Sequence, residues 1–268
     1  MPEEHDHPHP HMHHPVHLIH EVEDGQPSHG YGKTKDYATS NKEHYNKPGA
    51  SMINEQIIEL AKRSAQAILD RYPFDENSTT LMDFACNVGL LSRELAPHTK
   101  LLIGVDISQT PVDDFNEHVF NQGIPAEEMR AICSELKGEE GELDGLKFDV
   151  ITCSASYHHF EDITKITKIL TFFLKPGGTL LVVDMTQNTH SHADGSSSSS
   201  APSSNSTLFP EQFHHVVAHV HGISQEAVKD AFDAAGLCCF TFEPFSTVKI
   251  QGNEGTLFVA KGKKPISS

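Results

Sequence analysis

The chain has 268 residues, 37% of them hydrophobic, and a formal net charge of −17. That charge disfavours sequence-independent nucleic-acid binding, which rests on Lys and Arg neutralising phosphates, and docking on an anionic membrane surface. The longest apolar runs, such as TLLVV at 179–183, are too short to span a bilayer.

The polar excess is concentrated in two places. Residues 1–30 hold nine of the 20 histidines, six acids and no Lys or Arg, and residues 186–207 (TQNTHSHADGSSSSSAPSSNST) offer almost nothing to bury. Neither can offset its ordering entropy, so the expectation is a disordered His-rich acidic tail over 1–33 and a disordered Ser-rich insert at 186–207. Roughly 215 residues remain, enough for one α/β domain within 34–268. The first residues lack the charged and apolar regions of a signal peptide. Cys86, Cys133, Cys153, Cys238 and Cys239 show no CxxC spacing and lie in or beside apolar runs. Buried reduced thiols in a soluble protein of the cytoplasm or nucleus are therefore expected.

Residues 51–72 carry Ile53, Ile57, Leu60, Ala61, Ala65 and Ile68 at helical spacing, with Pro73 as a stop. Strand-like and helix-like segments then alternate: TTLMDF, LLSREL, LLIGVD, VDDFNEHVF, a short strand in MRAICSEL, FDVITCS, DITKITKILTFFL and TLLVVDM. A helix follows at SQEAVKDAFDAAG, with Ser224 as N-cap and Gly236 as its stop. CCFTFEPFSTVKI and GTLFVAKG close the chain as two strands able to pair. Such alternation predicts a parallel sheet covered on both faces, with ligands bound at the carboxyl ends of its strands.

Those ends carry Asp83, Asp106, Glu135, Ser154 and Asp184. Asp106 lies 23 residues after Asp83, close to the ~20-residue spacing of ribose-binding acids. Glu135 can accept from an exocyclic amine. The turn Ala85-Cys86-Asn87-Val88-Gly89 can offer backbone N–H groups to a carboxylate. Together these describe a site for a nucleoside with an amino-acid tail. A nicotinamide site fits poorly, because the turn lacks GxGxxG.

LMDFACNVG, GVDIS, FDVITCSASYHHFED, LKPGGTLLVVD and a helix ending DAAGL, in this order, resemble the class I S-adenosylmethionine-dependent methyltransferases. The chain is most similar to fungal members with an NKE segment before the first helix, here Asn41-Lys42-Glu43-His44-Tyr45-Asn46. The resemblance covers about 40–262 and implies a Rossmann-like seven-stranded sheet, mostly parallel, with an antiparallel C-terminal strand and helices on both faces. It implies S-adenosyl-L-methionine as cofactor, with Asp83, Ala85 and Gly89 around its methionine part and Asp106 on the ribose hydroxyls. Ile107 would pack on the adenine and Glu135 would receive its amine. Cys153 and Ser154 would lie beside the transferable methyl, under a cover that includes Tyr45. Position 87, commonly glycine in the family, is Asn87, which tolerates positive φ but adds a side chain.

His158 and His159 are candidate general bases for an acceptor hydroxyl or amine, or hold backbone instead. His214, His215, His219 and His221 either line the acceptor cleft or hold a metal: extended, His219 and His221 share a face; helical, His215 and His219 do. The histidines of the tail either bind transition metals loosely or form a solvated arm that gains charge below about pH 6.5. The leading expectation is methyl transfer to an O, N or S nucleophile of an unidentified small-molecule or protein acceptor. The other is a regulatory or scaffolding subunit with a methyltransferase fold, in a heteromeric signalling complex and with weak or no activity alone; resembling fungal proteins include regulators that pair with a second methyltransferase-like subunit.

Overall fold

The computed structural model describes residues 35–51, 53–187, 207–250 and 253–266. The His-rich tail and residues 188–206 of the Ser-rich insert lie outside them.

Helices α1 (Tyr37–Tyr45) and α2 (Glu55–Leu69) precede β1 (Thr80–Phe84), α3 (Leu90–Leu95), β2 (Leu101–Asp106), α4 (Gln109–Asn121) and β3 (Met129–Cys133). The chain continues through β4 (Phe148–Ser154), α5 (Ile163–Phe173), β5 (Leu174–Gln187), α6 (Gln225–Ala234), β6 (Cys238–Ile250) and β7 (Asn253–Lys263). The strands form one sheet in the order β3-β2-β1-β4-β5-β7-β6. β1 to β5 pair in parallel, and β7 runs antiparallel between β5 and β6. This is the expected architecture.

Alternation along each strand divides the core between two faces. Leu81, Leu102, Ala131, Val150 and Leu181 pack under α2, α3 and α4. Met82, Ile103, Ile151, Cys153 and Leu180 pack under α5 and α6. Strands buried on both sides read as nearly continuous apolar runs, which is why LLIGVD does not alternate polar with apolar residues. A third cluster, Met185, Leu208, Phe209, Val216, Val217 and Leu257, extends past the carboxyl end of β5.

Local signals set the helix ends. Asn54 accepts from the Ile57 N–H at 3.0 Å, so α2 begins after it rather than at residue 51. Ser224 caps α6 through the Ala227 N–H, and Gly236 at φ +74° ends that helix, both as expected. Two features differ from the sequence reading. α1 lacks an apolar stripe, and its start is held by Asp36, which accepts from the N–H and hydroxyl of Thr39. β5 runs through Thr186 and Gln187, paired with Thr256 and Gly255, so the strand enters the first two residues of the expected insert. The ladder continues because β7 offers a partner there.

Candidate active site

The carboxyl ends of β1, β2 and β4 open into a cavity of about 780 Å³, walled on the other side by α1 and α2. That volume lies within the range of small-ligand and cofactor sites.

Asp83 anchors its floor. One carboxylate oxygen accepts from Ser92 Oγ at 2.5 Å and the other from Thr152 Oγ1 at 2.9 Å. Burial pushes its pKa up to about 6, against the pull of those two hydroxyls. The following loop holds three left-handed residues, Ala85 (φ +58°), Asn87 (+49°) and Gly89 (+79°). Ala85 and Asn87 line the cavity, whereas Gly89 does not. A Cβ on Gly89 would sit 2.4 Å from the Phe115 ring, so this glycine lets α3 approach α4. Gly104 in β2 is similar: a Cβ there would meet Cys86 Sγ at 2.8 Å.

Four of the five expected backbone donors are already spent. Cys86 N–H donates to Val105 O (3.2 Å) and Asn87 N–H to Asp106 Oδ2 (3.0 Å). Val88 N–H donates to Asn87 Oδ1 (2.7 Å) and Gly89 N–H to Cys86 O (2.9 Å). Asn87 thus accommodates its left-handed backbone but folds its side chain onto the neighbouring donor.

Asp106 lies at the cavity edge, its other oxygen accepting from Ser108 N–H at 2.9 Å. Burial raises its pKa, opposed by the Ser108 and Asn87 N–H groups. Each oxygen has accepted one backbone bond and keeps a lone pair, which suits a vicinal diol. Ile107 and Glu135 line the same cavity. Tyr45 reaches it from α1, its phenol pushed up to about 12 by burial and the Asp106 charge.

At the end of β4 the candidates separate. Ser154 lines the cavity, but Cys153 is fully buried in the core. His158 is buried too: its Nδ1 meets Asp184 Oδ1 at 2.8 Å and its ring stacks on Phe209. Burial would raise Asp184, but His158 and two backbone N–H groups outweigh it and hold its carboxyl below the usual range. His158 does not line the cavity. His159 does, and its Nδ1 bonds the Val216 carbonyl at 2.7 Å. Because a carbonyl only accepts, Nδ1 carries the proton of the neutral ring. Nε2 then presents a lone pair 3.5 Å from the Tyr45 hydroxyl. Burial, followed by the charge on His158, pushes His159 down to about 3.

The stretch 214–221 is neither a strand nor a helix. His214 Nε2 bonds Phe209 O, His215 Nδ1 bonds Gln212 O and His219 Nε2 bonds Phe160 O. Among the described residues no group of three His, Cys, Asp or Glu is placed to hold a metal ion. The tail's histidines lie outside those residues.

Two cavity residues and one that positions α1 escaped the sequence reading. Asn41 Nδ2 donates to Tyr37 O and Val216 O, leaving its buried Oδ1 without a partner; buried Ser64 Oγ also lacks one. Both line the cavity. Ser64 falls on the Ile57–Ala61–Ile68 face of α2, so a polar residue on an apolar stripe was the available signal. Asn46 ties α1 to α4, its Oδ1 accepting from Thr110 N–H at 3.0 Å.

A family model described as a methyltransferase domain matches residues 54–240. An uncharacterized methyltransferase of Schizosaccharomyces pombe is 27% identical over 75% of this chain and 80% of its own length. The N-methyltransferase NodS of Bradyrhizobium japonicum, solved with S-adenosyl-L-homocysteine, superposes with a TM-score of 0.55 at 13% identity, over 85% of this chain and 98% of that one. A methyltransferase solved with the Haloferax volcanii Trm112 activator gives 0.56 at 14% identity, over 82% and 97%. With the β3-β2-β1-β4-β5-β7-β6 sheet and the cavity at its carboxyl ends, these matches establish that the chain belongs to the methyltransferase domain family and has the fold of the class I S-adenosylmethionine-dependent methyltransferases.

Proposed function

We propose that this protein moves a methyl group onto an oxygen, nitrogen or sulfur nucleophile of a separate acceptor, within the cavity between the sheet and α1–α2. The observation that carries this reading is that one cavity holds Asp106 and Glu135 at the strand ends and Asn41, Tyr45 and His159 in its wall. Bound S-adenosylmethionine supplies a methyl on a positively charged sulfur. Asp106 takes the ribose hydroxyls on its two remaining lone pairs, Glu135 the adenine amine, and Ile107 the adenine face. Asn41 Oδ1 and His159 Nε2 are acceptors, so they favour a methyl acceptor that brings an O–H or N–H. His159, neutral at physiological pH, orients that group more than it removes its proton. Ile53, Ile57, Leu60 and Ala61 make part of the wall apolar, and an acceptor seated on the exposed Ile53 and Ile57 would shield the displacement from water. Alignment in such a site supplies much of the rate.

Calorimetry with S-adenosylmethionine tests the reading, with Asp106→Ala alongside. Micromolar binding lost in the variant supports it; equal binding by both removes Asp106 from the site. The spent donors at Cys86–Gly89 support a second reading, a subunit that binds cofactor weakly until a second methyltransferase-like chain joins it. The structural neighbour solved with an activator protein is consistent with it. Under this reading the isolated chain binds poorly and gains affinity with its partner.

A further inference from the structure

The buried-thiol expectation fails at Cys238 and Cys239, which are both exposed. Consecutive residues of a regular strand point to opposite faces, which keeps their side chains apart. Here the pairing of β6 with β7 slips between Cys238 and Thr241, and Cys239 takes φ +57°, a conformation that L-residues other than glycine rarely adopt. The irregularity turns the second thiol back beside the first, and Cys239 Sγ–H lies 3.6 Å from Cys238 Sγ. The result is a surface dithiol.

Its place separates it from the methyl-transfer site. Cys238 is level with Lys263, which pairs on its other side with Thr179, where regular parallel pairing of β5 with β4 begins after a register shift. The cavity opens at the other end, where Ser154 pairs with Val183. No element of the proposed reaction uses these sulfurs.

We propose that Cys238 and Cys239 form a bidentate site for a soft, thiophilic trivalent centre of the arsenite class. Thiolates are the ligands such centres prefer, and two sulfurs held on one side can both bond a single atom. A disulfide suits the pair less well. Adjacent Cα atoms lie ~3.8 Å apart, whereas disulfides usually span ~4.4–6.8 Å. A zinc-type site would need further ligands, and among the described residues no group of three exists. With phenylarsine oxide the step balances without a redox change: two As–S bonds form, the arsenic–oxygen bond breaks, and the oxygen leaves as water with both thiol protons.

The test is titration of the reduced full-length chain with phenylarsine oxide, read by intact mass. One arsenical per chain is expected, resistant to excess 2-mercaptoethanol and released by 2,3-dimercaptopropanol. Cys238→Ser and Cys239→Ser should each lose the resistant adduct, while Cys133→Ser should keep it. An adduct that 2-mercaptoethanol removes from the native chain, or one that survives in both of the first two variants, overturns the proposal. So does a purified chain two protons lighter that takes the arsenical only after reduction, because its resting state would then be a disulfide.

Discussion

Asn41 Nδ2 and His159 Nδ1 converge on one acceptor, the Val216 carbonyl, at 2.9 and 2.7 Å. That shared oxygen links α1, the turn after β4 and the segment after β5. It also sets which acceptor each side chain has left: Asn41 its unpartnered carbonyl oxygen, His159 an unprotonated Nε2 beside the Tyr45 hydroxyl.

His159 should therefore stay a neutral Nδ1–H imidazole between pH 5 and 8, since its pKa lies near 3. Nitrogen-15 NMR of labelled histidine reads this directly. A ring that protonates near 6.5, or that carries its proton on Nε2, would contradict the Val216 bond.

Asn87→Gly should strengthen cofactor binding. The substitution keeps the left-handed backbone available and frees the Val88 N–H that Asn87 Oδ1 now occupies at 2.7 Å. One hydrogen bond regained is worth about 1 kcal/mol, roughly a fivefold fall in Kd. Calorimetry would decide. Weaker binding would mean that the Asn87 side chain itself contacts the ligand.

Gly89→Ala and Gly123→Ala separate two costs of losing a glycine. Both residues are left-handed, at φ +79° and +70°, but the new methyl lies 2.4 Å from Phe115 only at 89 and meets nothing within 4 Å at 123. Gly123→Ala should cost about 1–2 kcal/mol. Gly89→Ala should add about 1–3 kcal/mol of overpacking. Urea unfolding of both variants measures the difference, and equal losses would show that Phe115 yields without penalty.

Asp83 should impose a pH dependence on stability. Its folded pKa of about 6 lies above the ordinary 3.8, so between those values the native state holds more protons than the unfolded one. Stability from this group therefore falls as pH rises from about 4 to 6. The displacement is worth at most about 3 kcal/mol. Asp83→Asn should flatten that part of the profile, as measured by urea midpoints at pH 4, 5, 6 and 7. An unchanged slope would assign it to other groups.

LLIGVD and FDVITCS coincide with β2 and β4 because a parallel sheet buries both faces and leaves nearly continuous apolar runs in the chain, and LLSREL between such runs coincides with α3. Asp106, Ile107, Glu135 and Ser154 reach the cavity for a related reason: residues just past such strands meet at one edge of the sheet. The adjacent histidines could not be told apart in the sequence. Only packing gave His158 to Asp184 and His159 to the cavity, because the partners lie 26 and 57 residues away. Asn41 shows the same limit, since its value to the site comes from the distant Val216 carbonyl. Cys238 and Cys239 looked like core residues, and a single left-handed φ with a slipped register brought them to the surface together. The sequence by itself determined the sheet, its covering helices and the acids at its edge, through local periodicity and spacing. Tertiary structure alone decided which polar atoms are spent and which are left without a partner, because hydrogen-bond partners are set by approach in space.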